Sequence, residues 1–155
     1  MLIAPAVTPR PYADPASARQ LCTWVATRSL GMGSLHVRGA VPSGLLGSLG
    51  PLRHLESLVL QSCSLRQFAQ EWCPDLTALT SLSLAGNYLR ELPGAFATLT
   101  RLRRLDLSGN VLLGDVEIDA GLLPTPVAAL KGLEWLSIAR TAVAHIDPLP
   151  VSDGG

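Results

Sequence analysis

The chain has 155 residues, 48% of them hydrophobic and only 15% charged, against a usual charged share of about a quarter. Twelve basic and twelve acidic residues cancel to a formal net charge of zero, which leaves no global basic footprint for nucleic acid or for an acidic membrane surface. The length suits one domain with a large apolar interior.

Residues 1–13 contain Pro5, Pro9 and Pro11 and read as a flexible arm. The opening MLIAPAV is apolar, but no basic residues precede it and Pro5 interrupts it, so it lacks the features of a signal peptide. No stretch approaches the length needed to span a bilayer. Asp14-Pro15 then offers an N-cap followed by proline at the first helical position. The helix so opened, over residues 14–30, sets Ala18, Leu21, Cys22, Val25 and Ser29 on one side, a face suited to capping the open end of the segment beyond residue 30.

From residue 31 to 147 a Leu-x-Leu core recurs. Its first residues, Leu35, Leu58, Leu82, Leu105 and Leu136, are separated by steps of 23, 24, 23 and 31. A period in this range is the signature of a solenoid, and about five units are expected. Leucines at three-residue steps lead into the cores: Leu52, Leu55 and Leu58, then Leu76, Leu79 and Leu82, then Leu99, Leu102 and Leu105, then Leu130, Leu133 and Leu136. Three residues after each core stands the position that turns the chain off the strand, occupied by Ala40, Cys63, Asn87, Asn110 and Thr141. An apolar residue follows two further on, at Leu65, Leu89, Leu112 and Val143.

This pattern resembles the leucine-rich repeat family. LTSLSLAGNYLRELPGAF and LTRLRRLDLSGNVLL match LxxLxLxxNxL in full, and the likeness runs from residue 30 to 147. The segment GAVPSGLLGSLGPLRHLESL has the character of plant-type repeats, and Ala40 in the Asn position is the largest departure. The resemblance implies an α/β fold: a leucine-rich repeat solenoid wound as a right-handed superhelix, with a curved parallel β-sheet on its concave face. Irregular or short helical segments then form the convex side, and a capping helix covers the N-terminal end. Repeats of 23–24 residues resemble the intracellular type.

The spacing has a physical basis. An alternating Leu-x-Leu is a short strand with one buried face, and no repeat can bury that face alone. An Asn at the turn can bond backbone groups of the neighbouring repeat, so Cys63, Asn87, Asn110 and Thr141 are expected to form a structural ladder, with Cys63 and Thr141 its weaker members and Ala40 unable to join. Stability is then a sum of nearest-neighbour terms, highest around Asn87 and Asn110.

Chemistry finds little footing. Cys22, Cys63 and Cys73 are odd in number and unclustered, and read as reduced thiols of an intracellular, cytoplasmic protein. Cys73 shares a column with Leu49, Phe96 and Val127 and reads as a small buried hydrophobe. His36, His54 and His145 fall in different repeats without metal-ligand spacing, and no catalytic motif occurs. In the longer fifth unit, Asp115, Glu117 and Asp119 alternate within residues 113–126, but a calcium loop would need glycine where Ala120 stands and glutamate where Pro126 stands. A short edge strand or solvated loop fits better. No enzyme activity, cofactor or metal is expected.

With the core leucines pointing inward, the residues around them face out on the concave sheet. One column reads Ser34, Ser57, Ser81, Arg104, Trp135; the next His36, Val59, Ser83, Asp106, Ser137; the next Arg38, Gln61, Ala85, Ser108, Ala139. A last column, Gly39, Ser62, Gly86, Gly109, Arg140, is nearly bare. The partner-binding candidates are therefore Arg38, Gln61, Ser83, Arg104, Asp106, Trp135 and Arg140, with Arg104, Asp106, Trp135 and Arg140 as the anchors, because Trp and Arg dominate many interfaces. Plain alternatives exist: Trp135 packs against a following repeat, Arg104 and Asp106 pair with each other for at most ~1 kcal/mol, and Arg101, Arg103 and Arg104 form a solvated rim. The face is small. Five strands about 4.8 Å apart, each showing about three residues at ~3.3 Å, project only ~200 Å², short of the ~800 Å² per partner of a standard interface.

The expected function is a non-catalytic protein–protein interaction module that binds a partner protein on its concave face, with neither nucleic acid nor membrane as partner. Residues 148–155, after Ile146 and Asp147, read as a disordered tail, too short and too broken by Pro148 and Pro150 for a capping helix. An uncapped last repeat invites end-to-end contact. Two other readings stand beside this one. The helix ARQLCTWVATRS followed by a short strand resembles the opening of the repeats in F-box ubiquitin ligase receptors, with the F-box itself upstream of residue 1. Alternatively, the chain is an incomplete structural fragment of a longer array.

Overall fold

The computed structural model describes residues 33–39, 53–115 and 121–145. The expected arm, capping helix and tail, together with Ala40, lie outside the described residues. Five short strands follow one another: β1 (Ser34–Arg38), β2 (Ser57–Gln61), β3 (Ser81–Ser83), β4 (Arg104–Asp106) and β5 (Trp135–Ser137). They form one parallel sheet in chain order, the curved sheet of a repeat solenoid. Leu35, Leu58, Leu82, Leu105 and Leu136 lie in one register across it.

A recurring backbone device starts each strand after the first. The carbonyls of Gly33, Glu56, Thr80 and Arg103 each accept two consecutive N–H groups of the next repeat, from Glu56 and Ser57, Thr80 and Ser81, Arg103 and Arg104, and Glu134 and Trp135, at 2.8 to 3.0 Å. The sheet is only three residues deep at β3 to β5, so these forked bonds carry much of its pairing.

The strand leucines point inward and are buried in the middle of the array, as are Leu55, Leu76, Leu79, Leu99 and Leu102 that approach them from behind. On the side opposite the sheet the described residues make two 3₁₀ turns, Gln70–Trp72 and Gly94–Thr98, and one helix, α1 (Thr125–Ala128). Pro93 and Pro124 stand immediately before the second turn and α1, where an absent N–H costs nothing. These segments deliver Cys73, Phe96 and Val127, all buried, to one column of the interior. Phe68 sits edge-on against Trp72, with centroids 5.0 Å apart, and against Phe96, at 5.3 Å, the edge-to-face geometry that aromatic quadrupoles favour.

Two features differ from the sequence reading. After the ladder position, Leu65 and Leu89 are buried, but Leu112 is only half-buried and Leu113 fills the interior in its place. The cause is a turn over 111–114 in which Leu113 N–H donates to the Asn110 carbonyl at 3.0 Å, adding one residue before the chain reaches the core. The longer unit also returns to its neighbour: Leu122 and His145 form a parallel bridge, and Gly121 carbonyl accepts both Ala144 and His145 N–H, repeating the forked device outside the main sheet. Residues 116–120, with Glu117 and Asp119, lie outside the described residues.

The two ends of the sheet are unequal. Leu35 and Val37 on β1 are buried, while Leu136 on β5 and Ile138 just beyond it are only half-buried and Trp135 is 50% exposed. Apolar surface is thus left open beside β5. No helix among the described residues is long and apolar enough to cross a membrane.

Candidate protein-binding face

The face is held by the ladder beneath it. Asn87, 1% exposed, accepts at Oδ1 from Cys63 N–H (2.9 Å) and Leu65 N–H (3.1 Å) and donates from Nδ2 to the Leu60 and Leu84 carbonyls, both at 2.7 Å. Asn110, fully buried, accepts from Leu89 N–H at 3.1 Å and donates to Leu84 (3.0 Å) and Leu107 (2.7 Å) carbonyls. Each amide therefore closes its own turn and reaches back one repeat. Cys63 makes a weaker version with its single thiol hydrogen, Sγ lying 3.5 Å from the Val37 carbonyl and 3.4 Å from the Gln61 carbonyl. Thr141 bonds its own repeat, donating to the Ile138 carbonyl at 2.8 Å and accepting from Val143 N–H at 3.4 Å.

Cys63 and Cys73 are buried and free. Burial pushes both thiols from an ordinary 9.0 up to about 11, since a thiolate in an apolar interior loses its hydration. Between those values the unfolded thiols lose protons that the folded ones keep. The unfolded state then binds fewer protons, and stability falls as pH rises from about 9 toward 11. In a Cys22→Ser background, Ellman's reagent at pH 8 should leave both thiols unmodified in the native protein and titrate both in urea. Rapid native labelling would show that the interior opens around them.

Beyond the strands one column of five residues, Gly39, Ser62, Gly86, Gly109 and Arg140, adopts positive φ throughout, from 54° to 93°. This left-handed residue turns each strand toward its ladder position, at a cost to Ser62 and Arg140 that glycine escapes. Space is short as well: a Cβ on Gly86 would lie 2.9 Å from Ser62 Oγ, and one on Gly109 3.2 Å from the Gly86 backbone. The result is a smooth strip of backbone along one rim of the concave face.

The remaining concave positions fall in register. Ser34, Ser57, Ser81, Arg104 and Trp135 align, as do His36, Val59, Ser83, Asp106 and Ser137, and Arg38 with Gln61. Arg38, Arg104, Trp135 and Arg140 are exposed; Gln61, Ser83 and Asp106 are half-buried. Asp106 is not paired with Arg104. Its Oδ1 accepts from Ser108 N–H at 3.0 Å and Ser108 Oγ at 2.6 Å, and its Oδ2 takes a long contact of 3.4 Å from Ser83 Oγ. Asp106 is thus a turn-former whose carboxylate shapes the rim, a role signalled by the Asp-Leu-Ser spacing at a strand end. Arg103, by contrast, reaches the next repeat, bonding the Gly132 carbonyl at 3.2 Å and Glu134 Oε1 at 3.1 Å. Among the described residues the side chain of Arg104 has no hydrogen-bond or ion-pair partner. A free guanidinium therefore stands beside a half-exposed indole, one strand apart. No group of His, Cys, Asp and Glu among the described residues could hold a metal ion.

The parallel five-strand sheet, the Leu register and the Asn ladder define a leucine-rich repeat protein, and the family model described as "Leucine rich repeat" matches residues 53–112. Residues 53–112 thus carry repeats of that family, which are non-catalytic protein-interaction modules. Among curated relatives, Toll-like receptor 9 of Mus musculus is 45% identical over 62 residues, 38% of this chain. Toll-like receptor 9 of Canis lupus familiaris is 32% identical over 114 residues, 67% of this chain. The chain spans only 6% and 11% of the length of those relatives. Among solved structures, a leucine-rich repeat protein of Leptospira interrogans superposes with a TM-score of 0.57 at 19% identity, covering 89% of this chain and 40% of that one. An internalin of Listeria monocytogenes does so with a TM-score of 0.57 at 17% identity, covering 89% and 48%. At such identities these structures share the fold.

Proposed function

We propose that the chain recognises a partner protein through the concave face of its sheet, with Arg104 and Trp135 as the anchors and Arg38, Gln61, Ser83, Asp106 and Arg140 shaping the surround. The observation that carries this reading is the pairing in register of an unpartnered Arg104 with a Trp135 that is 50% exposed. Arg and Trp are the residues most often found at energetic centres of interfaces, and here the fold leaves both unspent. The relatives are named receptors, which supports reading the repeats as a recognition surface. Because the sheet face is small, contact is expected to extend onto the rim beside β5, where half-buried Leu136 and Ile138 favour end-to-end association.

An intracellular, cytoplasmic setting belongs to the same proposal and is supported by the free buried thiols Cys63 and Cys73. The ligase-receptor reading draws on residues 14–30, outside the described residues, and no observation on the sheet favours it.

The test is quantitative affinity purification from the native cell with the wild-type chain and an Arg104→Ala/Trp135→Ala variant. Asp106 is left intact because it braces the turn. Both substituted side chains are exposed, so folding should be unchanged. Partners on the concave face should be lost from the variant, and the isolated interaction should weaken by roughly thirtyfold, the ~2 kcal/mol of a typical hot spot. Identical partner profiles from the two proteins would remove the concave face from consideration.

A further inference from the structure

A second surface lies away from the concave sheet, where the chain leaves the ladder and descends toward the 3₁₀ turns. Two adjoining clefts of about 600 and 580 Å³ share the side chains of Gln67 and Glu91 as a common wall. Each is within the ~300–1,000 Å³ of ligand sites. The first is lined by the edge-to-face pair Phe68 and Trp72, both buried. The second exposes the Tyr88 ring, 58% accessible, and the flank of Leu112 that the extra turn residue swings outward.

Charge is graded along this groove, from two arginines at one end through a glutamate on the shared wall to a second glutamate at the other. Arg66 and Arg90 occupy equivalent positions in successive repeats, three residues past Cys63 and Asn87, and both line the second cleft. Glu71 lines the first, and Glu91 stands on the wall the two clefts share. The ion pairs of the described residues are Arg53–Asp75 and Arg103–Glu134; none of the four groove charges makes an ion pair or side-chain hydrogen bond. Arg66 and Arg90 bring two like charges to the lining of one cleft, an arrangement that favours an anion placed between them.

We infer that this groove is a docking site for an extended segment of a partner protein that carries an acidic side chain to Arg66 and Arg90 and a basic side chain to Glu71 and Glu91. Tyr88 and Leu112 receive the apolar part of the segment. The joined clefts run across two repeats, which suits a chain better than a compact ligand. Charge order supplies specificity, since a segment with the wrong order meets like charges at both ends. This surface shares no residue with the Arg104–Trp135 site, so the two proposals stand or fall separately.

The experiment is fluorescence anisotropy of the full chain with labelled eight-residue peptides at low salt. One peptide has a glutamate pair, a Leu-Tyr centre and an arginine pair; one has the two charged pairs exchanged; one has glutamates at both ends; one is neutral. One of the two mixed-charge peptides should bind about tenfold more tightly than the other three, and Arg66→Glu/Arg90→Glu should abolish that preference, consistent with charge-pair coupling of ~1.4 kcal/mol or more. Glu71→Arg/Glu91→Arg should do likewise, whereas Arg104→Ala/Trp135→Ala should leave peptide binding unchanged. Circular dichroism checks that each exposed-site variant is folded. Equal binding of the all-acidic peptide, no binding by either mixed-charge peptide, or indifference to the charge reversals would each overturn the inference.

Discussion

Replacing Asn87 with alanine should lower the unfolding free energy by about 4 kcal/mol, a large share of the ~5–15 kcal/mol of an ordinary domain. One amide serves four buried backbone groups at close range, the N–H groups of Cys63 and Leu65 and the carbonyls of Leu60 and Leu84, with a longer contact of 3.4 Å to the Ala85 carbonyl. Each buried group left without a partner costs ~1–3 kcal/mol, and local relaxation recovers part of that. Asn87→Asp should be nearly as damaging, because it keeps the acceptor but turns a carboxylate oxygen toward two carbonyls. Cys63→Ala should cost only ~1 kcal/mol, since its thiol is a weak donor and the methyl keeps part of its packing. Urea unfolding followed by far-ultraviolet circular dichroism gives the values. A loss below ~1 kcal/mol for Asn87→Ala would mean that water replaces the amide and the ladder is not a determinant of stability.

Phe96→Ala should cost a similar ~4 kcal/mol by a different route. Phe96 is fully buried and edge-on to Phe68 at 5.3 Å, which in turn meets Trp72 at 5.0 Å. Its removal leaves a cavity behind the strands and strips the contact that joins the turns Gln70–Trp72 and Gly94–Thr98. Phe96→Leu keeps most of the volume and should cost less than ~1.5 kcal/mol. In a Trp24→Phe/Trp135→Phe background Trp72 is the one remaining tryptophan, so its fluorescence and the circular dichroism transition should move together if the repeats unfold as one unit. Equal midpoints for Phe96→Ala and wild type would contradict the aromatic cluster as a stabilising core.

Much of the fold is legible in the sequence because two periods coincide. Strand alternation places Leu58 and Leu60, or Leu105 and Leu107, on one face, and the near-constant step between cores puts those faces in register. Asn87 and Asn110 are legible as ladder residues because a buried amide at a turn can satisfy donors and acceptors together. Other features depend on single-residue geometry that no period encodes. Nothing in VLLG says that Leu113 rather than Leu112 goes inward, because either leucine satisfies the pattern; the turn bonded to Asn110 decides. The strand pattern offers Arg104 to Asp106 as a partner, two residues before it on the same face. In the fold the Ser108 backbone and hydroxyl take that carboxylate instead, and neither needs a long side chain to be ordered. The groove between Arg66, Arg90, Glu71 and Glu91 is invisible to the pattern because its walls come from different repeats and from the irregular descending segments, where side-chain direction does not follow a strand rule.

The left-handed column makes the repeats order-dependent neighbours. A side chain there occupies the volume that a Cβ in the next repeat would need: Ser62 Oγ fills it above Gly86, and the Gly86 backbone nearly fills it above Gly109. Serine can follow Gly39 but cannot follow another serine without displacement. Duplicating the unit that holds Ser62, or exchanging it with the unit that holds Asn110, would therefore bring clashing atoms together even though every leucine stayed in place. The array has a syntax as well as a vocabulary, and lengthening it by design is easiest with a glycine after each occupied position of that column.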